Sequence, residues 1–399
     1  MEIKNLKKAA KRIQKAVEKK ERIILYGDAD LDGVSSVVIL KETIKNLGGE
    51  VVAVYFPERE KDGYGINENA LNILKDFAPA LLITSDLGIG NFKEIKIAKE
   101  MGFEVIIIDH HEILNGLPEA SIIVDPKQKG DRYPFKELAN VGIVFKLSQI
   151  LLNKNQSTKI NFSARPSTQS VCSGFSDSLK NSFLELTALG TIGDMMPIID
   201  DNKIFIEQGL ESLKNTFRPG LKAFFELLKR DSEEKSILPR IVSALNISEG
   251  TNHVNESYLL LTSSTIENAR ELAKNLLEKS QKKQQRVREI AQEISRRTAQ
   301  KQDPIVFEGD SLWQLNLLGA AASIICQEYQ KPVFLFKKGA EESCGSVRNP
   351  KDVDGVDAMK GCADILITFG GHKRASGFRV KNENLEQFKE CLIKYFTKK

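Results

Sequence analysis

At 399 residues, with 41% hydrophobic and 28% charged residues, the chain has the balance of a globular protein and is long enough for two cores. Its 58 basic and 54 acidic residues leave a net charge of only +4, so bulk charge does not mark a nucleic-acid binder, although local clusters still could. No apolar run approaches a membrane span and no signal-peptide core opens the chain, which argues for a cytoplasmic protein; the five cysteines (Cys172, Cys326, Cys344, Cys362, Cys391) hold no C-x-x-C pair, which argues against a zinc knuckle or a disulfide framework.

Ile3, Leu6, Ala9, Ala10, Ile13 and Val17 recur at helical spacing over 3–20, and the lysines and Arg12 between them read as a solvated face. Ile23-Ile24-Leu25-Tyr26 is a short strand, followed by the loop Gly27-Asp28-Ala29-Asp30-Leu31-Asp32-Gly33 and a helix from Val34 to Leu47. Three acids at alternate positions repel one another unless a cation sits between them. The loop shares the opening of an EF-hand, but the acid expected at its end is absent and a strand precedes it. The acids therefore read as ligands at a strand's carboxyl end.

The pattern repeats. Val51–Phe56 is a strand and Asp62-Gly63-Tyr64-Gly65 a turn; Ala80–Ser85 is a strand that ends on Asp86. A helix over about 91–101 leads to the strand Glu104–Ile108, which ends on Asp109-His110-His111. Strands alternating with helices predict a parallel sheet, in which side chains at the carboxyl ends of strands face the ligand crevice. Acids thus recur at three strand ends, joined by two of the chain's four histidines.

These residues, with Gly190-Thr191-Ile192-Gly193-Asp194-Met195-Met196-Pro197 further on, resemble the four motifs of the DHH phosphoesterases, and within them most closely the RecJ single-strand exonucleases. Residues 152–182 form a polar stretch read as a surface loop or partly disordered insertion. Residues 203–230 are helical with a break at Arg218-Pro219-Gly220, and Leu238-Pro239-Arg240 with Leu245-Asn246-Ile247-Ser248-Glu249-Gly250 stands where RecJ proteins resemble P-R-L-N-A-x-G-R, without the final Arg. Ser264-x-x-Glu267 reads as a capping box opening a helix to about 301, roughly 50 Å long, with Lys282, Lys283, Arg286, Arg288, Arg296 and Arg297 as a mostly solvated face.

From 303 the chain reads as a second α/β domain. It carries Cys344-Gly345-Ser346-Val347-Arg348 and Phe369-Gly370-Gly371-His372-Lys373-Arg374, which resemble the G-S-x-R and G-G-H motifs of the DHH-associated domain. Where relatives resemble W-H-x-G-V-x-G this chain has Trp313-Gln314-Leu315, and only 21 residues follow Phe378, too few for an added OB-fold. His253 is left to a structural role.

The expected fold is therefore α/β: a parallel-sheet catalytic domain at 1–230, a linker with a long connector helix at 231–302, and a smaller substrate-binding domain at 303–399. The resemblance implies 5′–3′ hydrolysis of phosphodiesters in single-stranded DNA, favoured over RNA, in repair and recombination, with a helicase or single-strand-binding protein as partner and no membrane. It implies two Mn²⁺ or Mg²⁺ ions held by Asp28, Asp30, Asp86, His110 and Asp194. Asp109 would orient the site, His111 would contact the phosphate, and His372 would act near the scissile bond. Ser346, Arg348, Gly370, Gly371 and His372 would bind substrate, with Arg348 on a 5′-phosphate. A short-oligonucleotide phosphodiesterase resembling the nanoRNases, or a non-catalytic replication scaffold, are the competing readings; scaffolds tend to lose metal ligands, and here every motif acid is present.

Overall fold

The computed structural model describes residues 2–114, 116–154, 176–228, 237–247, 250–371 and 373–397. It divides into two compact units, Met1–Lys279 and Ser280–Lys399.

The first unit is built on five parallel strands: β1 (Ile23–Gly27), β2 (Val51–Tyr55), β3 (Ala80–Ser85), β4 (Phe103–Ile108) and β5 (Ile122–Val124). Their order across the sheet is β2-β1-β3-β4-β5. The strands are short apolar runs because both faces are covered. Ile23 and Leu25, Leu81 and Ile83, and Ile106 and Ile108 point into one core. Ile24 and Tyr26, Leu82, and Val105 and Ile107 point into the other. The first core is shared with the helices Leu6–Glu18, Leu31–Asn46, Asn140–Lys154 and Asp177–Gly193; the second, smaller one with Glu68–Leu74 and Phe92–Glu100.

The chain leaves β1 for β2 on one side and returns to β3 on the other. The order reverses between β1 and β3, and in such sheets ligands bind beyond the strand ends at that point. The register there is regular: Gly27 pairs Ser85, Ser85 pairs Ile108, and Ile108 pairs Val124. The next residue of each strand is an aspartate, so Asp28, Asp86, Asp109 and Asp125 form one row across four strands. Their N–H groups extend the ladder, Asp28 to Ser85 O (3.1 Å), Asp86 to Ile108 O (2.9 Å) and Asp109 to Val124 O (3.0 Å).

Several expectations need correction. The second helix begins at Leu31 rather than Val34, with Asp30 as its N-cap accepting from Gly33 N at 3.1 Å. Helices Asn140–Lys154 and Asp177–Gly193 reach into the stretch read as a polar loop at both ends, where Leu152 is buried in the first core and Leu179 packs against it; 155–175 lie outside the described residues. The long helix runs Ile266–Thr298, and Thr265 rather than Ser264 sits at its start, its carbonyl accepting from Ala269 N. Ala269, Ala273 and Leu276 of this helix are buried in the first unit's core, and Val287, Ile290, Ala291 and Ile294 in the second's. Its basic residues are partly spent locally, Arg286 on Glu289 and Arg297 on Glu293 and Asp310.

The second unit is a five-stranded mixed sheet of β6 (Val306–Asp310), β7 (Val333–Lys338), β8 (Glu342–Arg348), β9 (Leu366–Gly371) and β10 (Ala375–Lys381), in the order β9-β10-β8-β7-β6. Only β6 and β7 are parallel. Val333 and Leu335 face the helix Leu315–Tyr329, whereas Phe334 and Phe336 join an aromatic core with Phe378 and Phe388. Cys362 and Cys391 form a disulfide, a single link where the sequence argued against a disulfide framework; the fold brings α-carbons 29 residues apart in sequence to 6.1 Å, a proximity that spacing cannot reveal. No described helix is long and apolar enough to cross a membrane.

Candidate metal centre

Beyond the ends of β1, β3 and β4, the side chains of Asp28, Asp30, Asp86, His110 and Asp194 converge. Asp194 comes from the C-terminus of the helix Asp177–Gly193, where its N–H bonds Gly190 O at 2.9 Å. Three overlapping groups have ligand atoms within 4.8 Å of one another: Asp28, Asp30 and Asp86; Asp32, His110 and Asp194; and Asp86, His110 and His111.

His110 is buried, and its Nδ1 lies 3.0 Å from Leu138 O. A carbonyl can only accept, so Nδ1 carries the hydrogen and Nε2 is the ring nitrogen turned inward. Nε2 lies 3.3 Å from Asp86 Oδ1 and 3.5 Å from Asp194 Oδ2. Both oxygens are buried without a hydrogen-bond partner among the described residues. Buried carboxylate oxygens gathered at one point are what a cation would resolve. The electrostatics agree: burial, then neighbouring carboxylates, push Asp86 well above the ordinary carboxyl range, and burial with Asp30 pushes Asp194 to about 7. An oxygen-rich set with one imidazole suits Mn²⁺ or Mg²⁺ better than a thiolate-seeking metal.

The surroundings hold these ligands in place. Asp86 has a left-handed backbone (φ 67°), an unusual state for a residue with a side chain. Asn140 fixes it: with the amide oriented to satisfy its neighbours, its oxygen accepts from Asp86 N at 3.0 Å and from the hydroxyls of Ser36 and Ser85, and its nitrogen donates to Ile108 O. The Asp28–Asp30 loop is tied from a distant segment, Asn246 Oδ1 accepting from Leu31 N (3.0 Å) and Asn255 Nδ2 donating to Ala29 O (2.8 Å). Gly33 is required there, since a β-carbon would lie 2.5 Å from Asp28 O.

Asp109 faces the other way. Its Oδ1 accepts from His110 N, His111 N and His111 Nδ1 (2.8 Å), and its Oδ2 from Ile89 N. Burial alone would raise its pKa, but His111 and these donors hold it at about 2. Burial would lower His111, yet Asp109 outweighs it and lifts it to about 9; the ring is 43% exposed, so solvent screens part of that attraction.

Two residues of this centre, Asp125 and Arg59, carried no assignment at the level of sequence, and Asp32 was read there only as one of three loop ligands. Asp32, the third acid of the first loop, is buried with its carboxylate on Asn140 N (2.8 Å) and Val141 N (2.7 Å), at the start of the helix Asn140–Lys154. Asp125 is the fourth member of the aspartate row, fully buried and raised to about 7 by burial and Asp109. Arg59 reaches the centre from beyond β2. Asp125 follows a strand of only three residues, Ile122–Val124, and nothing local signals Arg59.

In the second unit, Ser346 pairs Gly377 and Gly377 pairs Gly370, while Arg348 pairs Ala375 and Gly371 pairs Ser376. The structure thus places Ser346 and Arg348 on β8 and Gly370 and Gly371 on β9, on either side of β10. Gly371 has φ 123° and lies so close to Ala375 O that a β-carbon would meet it at 2.7 Å. Arg348 lies across Gly319 of the helix Leu315–Tyr329. His372 lies outside the described residues, as do Ser248 and Glu249. Gln314 serves as the N-cap residue of the helix Leu315–Tyr329, and Trp313 is buried with its Nε1 donating to Glu293. His253 stacks on Tyr55 with ring centroids 4.4 Å apart.

A parallel sheet with carboxylates and imidazoles at its switch point, followed by a glycine-rich mixed-sheet unit, defines a class. The model of the DHH family, N-terminal domain, matches residues 22–191, and the DHHA1 domain matches 302–398. The chain belongs to the DHH superfamily, as a RecJ-like member. It is 33% identical over 398 residues to the single-stranded-DNA-specific exonuclease RecJ of Bacillus subtilis, covering 98% of this chain and 48% of that protein. The chain thus spans about half the length of that relative. Among solved structures, an exonuclease RecJ bound to manganese matches with TM-score 0.77 and 24% identity over all of this chain and 95% of that one. RecJ of Thermus thermophilus in complex with Mn²⁺ matches with TM-score 0.81 and 23% identity over all of this chain and 55% of that one.

Proposed function

We propose that the chain is a metal-dependent, RecJ-like exonuclease that removes nucleotides from single-stranded DNA in the 5′–3′ direction. The observation that carries the reading is the convergence of Asp28, Asp30, Asp86, His110 and Asp194, with the buried Asp86 Oδ1 and Asp194 Oδ2 both within 3.5 Å of His110 Nε2. Those five residues would hold two divalent ions, Mn²⁺ or Mg²⁺, which when bound would polarise the scissile phosphate and an attacking water. The RecJ relatives, specific for single-stranded DNA by name and manganese-bound in solved structures, support the substrate and the metal.

The chain's own residues supply the rest. Asp109 holds Nδ1–H of His111, keeping that imidazole protonated and aimed, so that it can meet an anionic phosphate. Leu138 O fixes the His110 tautomer, and Asn140 fixes Asp86. In the second unit Ser346, Gly370 and Gly371 would let backbone N–H groups approach the DNA strand, Arg348 would clasp a 5′-phosphate, and His372 would meet a phosphate near the scissile bond. On this reading 1–230 is the catalytic domain, 231–302 the linker and 303–399 the substrate-binding domain, acting in the cytoplasm in repair and recombination beside a helicase or single-strand-binding protein.

The test is incubation with Mn²⁺ and end-labelled strands of two, five and thirty nucleotides, with the label on either end and RNA included. Stepwise loss from the 5′ end of the longer DNA strands is expected. Cleavage of the dinucleotide alone, or of nothing, overturns the reading.

A further inference from the structure

Arg59 opens the short helix Arg59–Asp62, between β2 and the Gly63-Tyr64-Gly65 turn. Its Nη2 donates to Asp28 Oδ2 at 2.7 Å and to Asp30 Oδ2 at 3.0 Å, and its Nε lies 3.3 Å from Asp28 Oδ1. Backbone groups donate to these carboxylates as well, Ala29 N to Asp28 Oδ1 and Gly33 N to Asp30 Oδ1. The two Oδ2 atoms are therefore bridged by one guanidinium nitrogen. Asp28, Asp30 and Asp86 are also one of the three groups whose ligand atoms could close on an ion. A fork that donates to those oxygens and a divalent ion that coordinates them use the same lone pairs, and the two cations repel at that distance.

We propose that Arg59 is an internal counter-cation, which holds Asp28 and Asp30 together in the ion-free chain and is exchanged for a divalent ion when that side of the centre is loaded. The inference rests on the assignment of Asp28, Asp30 and Asp86 as ion ligands. Two further features fit it. Arg59 is the opening residue of a four-residue helix and does not lie in the sheet, so it can withdraw without disturbing the aspartate row. Its guanidinium also lies 5.0 Å from the centroid of the Tyr64 ring, which is 73% exposed, so a displaced Arg59 keeps an aromatic face to rest on. The arrangement would let a loop carrying two close carboxylates stay folded while no ion is present, because an arginine is always charged and neutralises them in advance. The exchange also sets a threshold: the ion must outcompete a bidentate, charge-assisted pair, so one class of sites fills later than the other.

The experiment is calorimetric titration of Mn²⁺ into the full chain, wild type, Arg59→Gln and Arg59→Lys, with thermal unfolding in chelator alongside. Arg59→Gln is expected to bind one class of Mn²⁺ about ten-fold more tightly and to unfold at lower temperature when ion-free; Arg59→Lys, charged but without the fork, should fall between. Unchanged or weaker Mn²⁺ affinity in both variants overturns the inference while leaving the metal assignment standing. Absence of Mn²⁺ binding to wild type overturns both. Should the variants not fold in chelator, the wild type alone decides: the Arg59 Nε–H signal in ¹⁵N NMR should move on saturation with diamagnetic Mg²⁺, and a signal that stays put refutes the exchange.

Discussion

Asp109 and His111, two residues apart at the end of β4, form a closed pair in which His111 Nδ1 lies 2.8 Å from Asp109 Oδ1, and the same oxygen accepts the backbone N–H of both histidines. The carboxylate thereby fixes the conformation of the motif as well as the charge of the ring. Asp109→Asn keeps an acceptor but loses the charge, so His111 should fall from about 9 towards the ordinary histidine value of about 6.5. Histidine NMR titration of the chelated protein checks this, with His111→Gln identifying the signal. A His111 that still titrates near 9 in the Asn variant would remove Asp109 as the cause.

Asp86→Asn and Asp194→Asn each delete a charge from the point where buried carboxylate oxygens gather. Each variant is expected to remain folded, to lose at least one equivalent of bound Mn²⁺ in calorimetry, and to lose hydrolysis by more than a hundred-fold. His111→Ala should instead keep both equivalents while hydrolysis falls. Loss of an equivalent on removing His111 would move it from the phosphate to the metal, as its place in one of the three ligand groups allows.

Chelation should make stability fall with rising pH. The Asp194 carboxyl is raised to about 7 and Asp86 is raised as well, so the folded chain holds protons that the unfolded chain has released. A raised carboxyl contributes stability that is complete below the unfolded value of about 4 and is lost as pH climbs through the folded value near 7. The melting temperature in chelator should therefore drop between pH 5 and about pH 8. Saturating Mn²⁺ should remove most of that drop by favouring the ionised forms. Parallel curves with and without Mn²⁺ would show that the acids do not share an ion.

Asp32→Ala separates structure from ligation. The carboxylate accepts both Asn140 N and Val141 N, so its loss leaves two buried donors at a helix start and should cost about 2 kcal/mol. Urea unfolding in saturating Mn²⁺ measures the cost, and calorimetry should find the ion count unchanged.

Arg348→Ala tests the second unit. A planar fork gains more from a terminal phosphate than from an internal diester, so the variant should lose roughly 30- to 150-fold in kcat/KM on 5′-phosphorylated strands, or about 2–3 kcal/mol, and little on 5′-hydroxyl strands. Equal losses on both substrates would show that Arg348 does not read the end.

The strand-end logic was legible because β1, β3 and β4 are apolar runs that stop on an acid, and a parallel sheet aligns such stops. The same rule did not reach far enough at Asp125. Alternation within the first loop suggested one shared cation; a helix starting at Leu31 also sets the Asp32 carboxylate on Asn140, 108 residues away, a contact that is invisible locally, while leaving it within reach of His110 and Asp194. Asp125 follows a strand of only three residues, too short to stand out. Arg59, Asn246 and Asn255 reach the centre through tertiary folding alone. The glycines of the second unit announced turns, whereas their row with Ser346 follows from antiparallel register.

That four carboxylates share one ladder row has a consequence for how this chain can vary. Lengthening a crossover helix or a far-side loop leaves Gly27, Ser85, Ile108 and Val124 opposite one another, so the centre should survive such insertions. A single residue added within β3 would shift Asp86 out of the row and swap the buried faces of that strand, which no compensating side chain could restore. Length polymorphism should therefore be free in the connections and forbidden within the strands, and a scan of one-residue insertions would trace the row without reference to any ligand.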